Sequence, residues 1–234
     1  MKKRLFYLPV IFVLIVGMSC SQSGSVKDVK LDTPADSAGY AIGILIGTNN
    51  KEQIKNAPGG STINLETMVA AFRAASMEEE GKMTMEQAEQ FIRTFFESEG
   101  AKEGQANLET GNAFLEENKK REGVHTTASG LQYEILSEGT GPKPEASDRV
   151  RVHYHGTLID GTVFDSSVDS GQPAVFGVGQ VIPGWTEALQ LMPEGSKWKV
   201  YIPSNLGYGE RGAGAEIGPN STLIFEVELL EIVK

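Results

Sequence analysis

Thr222-Leu223-Ile224-Phe225-Glu226-Val227-Glu228-Leu229, near the end of the chain, keeps a two-residue rhythm: Leu223, Phe225, Val227 and Leu229 face one way, Glu226 and Glu228 the other. An extended strand puts alternate side chains on opposite faces, so one face of this segment meets a core and the other meets water. The same rhythm runs through Trp198, Val200 and Ile202, through Val150, Val152 and Tyr154, and through Leu131, Tyr133 and Ile135. Between Tyr154 and Trp198, the segment Pro183-Gly184-Trp185-Thr186-Glu187-Ala188-Leu189-Gln190-Leu191-Met192 opens with a helix-starting proline and carries an apolar face. Together these predict an α+β unit over residues 123–234, an antiparallel half-barrel wrapped on one short helix.

Upstream the rhythm changes to three and four. Residues 33–122 predict an all-α domain, with a first helix over 35–48 and a second over 65–80 behind Asn64 as N-cap. Leu65, Met68, Val69, Phe72 and Met77 fall near one face of that second helix. Thr84 followed three places later by Gln87 is a capping-box signature for a third, long helix that connects the two domains. Ala88, Phe91, Ile92, Phe95 and Phe96 recur at helical steps, and Ala113, Phe114 and Leu115 extend the series. Continuous to Arg121, this helix would hold about 37 residues and measure ~55 Å. Gly100, Gly104 and Gly111 are places where it could break. So long an apolar stripe is more than a small domain can bury, which points to a homodimer through these helices; a monomeric bundle is the alternative.

The first residues are of another kind. Lys2, Lys3 and Arg4 precede an apolar run from Leu5 to Val16, too short to span a bilayer and shaped as an export signal. The single cysteine, Cys20, follows Gly17-Met18-Ser19. That arrangement resembles the lipobox of bacterial lipoproteins, with Gly17 where leucine is usual. The resemblance implies a signal peptide over 1–19, acylation of Cys20, and a Ser/Gly-rich tether over 20–32. It implies a lipid-anchored protein of the periplasm, and Ser21, in place of the aspartate associated with inner-membrane retention, points to the outer membrane.

The net charge of −10 and pI near 4.9 argue against nucleic acid, which needs clustered Lys and Arg. Gly207-Tyr208-Gly209-Glu210-Arg211-Gly212 fits a dinucleotide fingerprint, but further glycines and Pro219 follow it where a helix is required. His125, His153 and His155 have no evident further ligand, so neither a metal nor a cofactor is expected. Asn220-Ser221-Thr222 spells a glycosylation acceptor that a bacterial lipoprotein would seldom use.

Four segments of the C-terminal half resemble the FKBP family in order and register: Val152-His153-Tyr154-His155-Gly156, Asp160-Gly161-Thr162-Val163-Phe164-Asp165-Ser166-Ser167, Gln180-Val181-Ile182-Pro183-Gly184-Trp185, and Tyr208-Gly209 with the closing strand. In the helical half, Asn107, Gly111, Phe114, Leu115 and Asn118 resemble the dimerisation segment of the macrophage infectivity potentiator type. The resemblance implies a peptidyl-prolyl cis-trans isomerase acting on unfolded or exported polypeptides, with chaperone activity beside it; the alternative is a chaperone lipoprotein that binds peptides without turnover.

By resemblance, Tyr154, Phe164, Phe176, Val181, Trp185 and Phe225 form the substrate pocket with Trp185 as its floor. The Ile182 N–H and the Tyr208 hydroxyl hydrogen-bond substrate carbonyls, and Asp165 either orients pocket groups or meets the distorted carbonyl carbon. These residue types suit the reaction. Rotation of an X-Pro bond makes and breaks no covalent bond, so it requires a dry, shaped cup rather than a nucleophile. Ala174 stands where a further pocket phenylalanine is frequent, and Ala213 and Glu216 stand where some members carry a histidine and an aliphatic residue. These changes predict an opened rim and altered affinity for macrolides and for residues flanking proline.

Overall fold

The computed structural model describes residues 29–233; the signal segment, Cys20 and the tether as far as residue 28 lie outside the described residues. Helix α1, Pro34–Lys55, starts at a reciprocal cap in which the Asp36 N–H donates to Thr33 Oγ1 and the Thr33 N–H to Asp36 Oδ2. It runs seven residues past the expected end at 48. The chain divides within α1, between Asn49 and Asn50, into two units, the second of which holds everything that follows.

Helix α2, Leu65–Ser76, is capped by Asn64, whose side chain accepts from the Thr67 N–H at 3.0 Å. It stops short of 80 because Glu78 turns left-handed at φ 57° and the Glu79 N–H returns to the Ala74 carbonyl, which satisfies one of the last carbonyls of the helix. Helix α3, Met85–Asn118, begins at the Thr84–Gln87 capping box with both reciprocal bonds made, and it runs unbroken through all three glycines. Its first half leaves Phe91 and Ile92 exposed.

The sheet has strands β1 Val124–Thr126, β2 Gln132–Ser137, β3 Arg149–Thr157, β4 Val163–Ser166, β5 Ala174–Gly177, β6 Lys197–Ile202 and β7 Leu223–Val233. Their order is β1-β2-β6-β7-β3-β4, with β5 also on β3, and every pairing is antiparallel. Strand β7 is central: Val227 faces Trp198 and Tyr154, Phe225 faces Val200 and Gly156. Helix α4, Pro183–Leu191, lies in the concave face and buries Trp185, Ala188 and Leu189 against the inward residues of the strands. Gly184 permits this, since a Cβ there would fall 2.6 Å from Ile202 Cγ2. On the outer face Lys197 and Lys199 lie 3.7 Å from the Glu226 carboxylate, exposed contacts of small energetic value.

Strand β2 departs from the simple alternation. Gln132 is 3% exposed because the end of α3 packs on its face of the strand, and Ile135, on the other face beside a register shift, is exposed. Gln132 Nε2 donates to the Leu115 carbonyl at 2.9 Å, and Asn118 Nδ2 donates to Gln132 Oε1 at 2.8 Å. Phe114 leans on the Tyr201 ring, whose hydroxyl accepts from Arg121 at 3.0 Å. Burial raises the Tyr201 pKa while Arg121 opposes the rise. The second half of α3 is thereby part of the same compact unit as the sheet. Among the described residues no helix is long and apolar enough to cross a membrane.

Candidate active site

A cavity of about 590 Å³ opens between β3, β4, β5, the head of α4 and the loop after β6. It is lined by Tyr154, Phe164, Asp165, Phe176, Val181, Ile182, Trp185, Tyr208 and Phe225, so the structure gathers all nine residues singled out for the pocket in one place. Its size suits a prolyl residue and its neighbours.

The rings form an edge-to-face box. Trp185 stands nearly perpendicular to Tyr154 (5.4 Å, 85°), Phe176 (5.6 Å, 82°) and Phe225 (5.2 Å, 86°), and Phe164 meets Phe225 in the same way (5.3 Å, 81°). This arrangement is favoured by the ring quadrupoles and gives the walls a fixed shape. Gly156 makes it possible, because a Cβ there would lie 2.6 Å from the Phe164 ring and 2.8 Å from Phe225.

One polar pair is built into the wall. The Tyr154 hydroxyl donates to Asp165 Oδ2 at 2.6 Å. Burial, and then the Asp165 hydrogen bond and charge, push the Tyr154 pKa well above the ordinary value of 10.0. The hydroxyl therefore stays a neutral donor at any physiological pH. Ser167 backs this pair from behind: its Oγ accepts from the Tyr154 N–H at 2.8 Å, and its own N–H donates to the Tyr154 carbonyl at 3.0 Å. Tyr208 lines the same cavity and is 42% exposed.

Three lining residues were not anticipated: Gln180, Gly214 and Ile217. Ile217 supplies the aliphatic surface that Glu216 lacks; its N–H donates to the Ala213 carbonyl, and its carbonyl accepts from the Ala213 N–H. The one visible signal was a lone aliphatic residue in a glycine-rich loop. Ala174 does not line the cavity; it pairs with Val152 and packs on the core. His153 and His155 turn their Nδ1 atoms to Ser167 Oγ and Ser166 Oγ, at 3.1 and 3.0 Å. Among the described residues no group of three or more His, Cys, Asp or Glu could hold a metal ion.

Comparison with known proteins agrees with this geometry. Residues 141–230 match the family model described as FKBP-type peptidyl-prolyl cis-trans isomerase, and residues 35–135 match the domain amino terminal to it. The outer membrane protein MIP of Legionella longbeachae is 42% identical over 97% of this chain and 98% of its own length. A probable FKBP-type peptidyl-prolyl cis-trans isomerase, FkpA, of Neisseria meningitidis is 48% identical over 83% of this chain and 73% of its own. The crystal structure of FkpA from Escherichia coli superposes with a TM-score of 0.63 at 33% identity, covering 87% of this chain and 98% of that one. The chain belongs to the FKBP-type peptidyl-prolyl cis-trans isomerases, in the branch that carries a helical domain ahead of the isomerase fold.

Proposed function

We propose that the cavity holds a proline-containing segment with its prolyl ring over the Trp185 indole, and that it accelerates rotation of the preceding amide. The observation that carries this is the edge-to-face box of Tyr154, Phe176, Trp185 and Phe225 around an open cavity of about 590 Å³. A planar amide in water is held planar by resonance that hydrogen bonds to its carbonyl reinforce, and rotation costs roughly 18–20 kcal/mol. Apolar walls remove those waters and so favour the twisted, less polar amide. Phe164 and Val181 close the sides. The Ile182 N–H at the head of α4 and the Tyr208 hydroxyl donate to substrate carbonyls on either side of the turning bond. Asp165, held by the Tyr154 hydroxyl, presents its charge to the carbonyl carbon as it loses resonance.

Protease-coupled isomerisation of a short prolyl peptide by the full chain tests these roles. Tyr208→Phe removes one hydrogen bond and lowers kcat/KM by about tenfold, and Asp165→Ala by at least as much. Unchanged rates in both variants would remove them from the machinery.

In this reading residues 123–234 are the isomerase domain and residues 33–122 the dimerisation domain. The many exposed apolar residues of the helices, Val69 and Phe72 on α2, Phe91 and Ile92 on α3 and, in the other unit, Ile42 and Leu45 on α1, support pairing with a second copy. The same exposed surface favours a second reading, chaperone binding of apolar segments in unfolded proteins, measured as suppressed aggregation of a denatured client. Residues 1–19 act as the signal peptide, acylated Cys20 as the anchor and residues 20–32 as the tether. Similarity along nearly the whole chain to a protein named as an outer membrane protein supports a periplasmic place at that membrane. Cys20→Ser would then release the protein from membranes and abolish labelling by a fatty-acid analogue.

A further inference from the structure

Two non-glycine residues adopt positive φ among the described residues, Glu78 and Asn220. Glu78 merely ends α2. Asn220, at φ 55°, lies in the loop between Tyr208 and β7, where a left-handed asparagine persists only if its surroundings hold it there. Its N–H donates to the Gly209 carbonyl at 2.8 Å, directly behind Tyr208. Its side-chain Nδ2 donates to the Gly104 carbonyl of α3 at 3.3 Å, and Asn107 Nδ2 of α3 donates to the Pro219 carbonyl at 2.9 Å. Gly104 makes room for this seam: a Cβ there would sit 3.1 Å from Pro219 Cβ.

The loop so tied is also a wall of the cavity, through Tyr208, Ala213, Glu216 and Ile217. It has little stiffness of its own. Gly209, Gly212 and Gly214 all take positive φ, at 59°, 62° and 61°, and apart from turn bonds and the Asn220–Gly209 bond it is closed on itself by the Ala213–Ile217 bridge. Ile217 and Ala213 pack on the core and fix one side of the loop, and the Asn220 and Asn107 bonds to α3 fix the other.

We propose that Asn220, with Asn107 as its partner on the long helix, is a positioning residue for prolyl isomerisation: together they hold the Tyr208 hydroxyl and the Ile217 wall in register with the Trp185 floor. This rests on the proposed function of the cavity. Small misplacement of such groups is costly because they must meet a bound peptide at hydrogen-bond distance.

The test uses the full chain and a short prolyl peptide, with kcat, KM and Tm measured for Asn220→Gly, Asn220→Asp and Asn107→Ala. Glycine accepts the left-handed backbone without strain and lacks only the donor, and aspartate keeps the shape while turning the donor into an acceptor. In Asn107→Ala the helix keeps a strong helix former and loses only the bond to Pro219. All three are expected to raise KM about three- to tenfold, with kcat changed by less than about twofold. Asn107→Ala and Asn220→Gly should keep a Tm close to the parent's. KM values within about twofold of the parent in Asn220→Gly and Asn107→Ala overturn the proposal, and so does a KM rise seen only in step with a fall in Tm. If Asn220→Gly does not fold, Asn107→Ala decides alone. A parent chain that fails to accelerate the peptide refutes the function of the cavity itself, whereas an active parent with unmoved variants refutes only the positioning role.

Discussion

Trp185 and Phe225 are each 5% exposed; Phe72 and Phe91 are 53% and 61% exposed. All four belong to runs of apolar residues with regular spacing, yet the chain covers the first pair with its own strands and leaves the second pair bare. The difference lies in geometry. A curved sheet closing over α4 supplies cover from several directions within one unit, whereas Phe72 on α2 and Phe91 on α3 stand on helix faces that the described residues leave largely bare. Helix α3 shows both situations along one axis: Phe91 and Ile92 in its first half are exposed, and Gly104, Gly111, Leu115 and Asn118 in its second half are buried against the sheet and its loops. The lesson is that the bare surface around Phe91 is the one the proposed second copy would cover, whereas the surface around Leu115 is already covered by the chain itself.

The comparison breaks most visibly at the floor. Trp185→Ala should cost about 3–5 kcal/mol of stability in urea unfolding and abolish measurable turnover, because the box loses the ring that three others lean on. An equal loss from Phe91→Ala in a form that is already monomeric would contradict the distinction. Next in size is the assembly: the double variant Phe72→Glu with Phe91→Glu should halve the mass in sedimentation equilibrium. It should leave the rate on a short prolyl peptide within about twofold of the parent's, since neither residue lines the cavity. A mass that does not change on substitution would count against pairing through these helices.

The two halves of α3 can also be compared glycine by glycine. A Cβ on Gly100 meets Pro58 at an ordinary 3.7 Å, so Gly100→Ala should stabilise by about 0.5–1 kcal/mol through helix propensity. A Cβ on Gly111 runs into Thr222 Oγ1, so Gly111→Ala should destabilise by about 1–3 kcal/mol despite the same propensity gain. Opposite signs in thermal unfolding sharpen the contrast, and equal signs remove it.

The smallest expected effect is confined to alkaline pH. The folded Tyr154 pKa lies above the ordinary 10.0, so the folded state holds this proton more tightly than the unfolded state. The associated stability is intact below pH 10 and is lost as pH rises beyond it, where the unfolded phenol ionises first. Tyr154→Phe should therefore flatten the alkaline limb of the stability profile and leave the neutral region with only the loss of one hydrogen bond, read by urea unfolding at stepped pH.

Much of this architecture was legible residue by residue. The alternation in Leu223, Phe225, Val227 and Leu229 marked β7 because one face of it is buried from Leu223 to Leu229. Strand β2 broke the rule twice: Ile135 is exposed beside a register shift, and Gln132 is buried by the end of α3, neither of which a local pattern contains. The glycines of α3 read as possible breaks, yet Gly104 and Gly111 make room for Pro219 and Thr222, more than a hundred positions away in the chain. Asn107, Gly111, Phe114, Leu115 and Asn118, which carried the resemblance to a dimerisation segment, form the seam between α3 and the sheet unit. The aromatic cup was readable from family register, whereas Gln180, Gly214 and Ile217 join it through loop geometry that spacing does not encode. Asn220 looked like a glycosylation acceptor, and its backbone conformation and its bond to Gly104 were beyond local reading.

The most direct test of the account is the cis–trans exchange rate of a short prolyl peptide, measured by exchange NMR with the full chain across pH 6–9 in light and heavy water. A cup that works by desolvation and shape predicts a rate well above the spontaneous one, flat with pH and nearly equal in the two solvents. A rate no greater than the spontaneous one, or one that follows a titration and falls severalfold in heavy water, would contradict it.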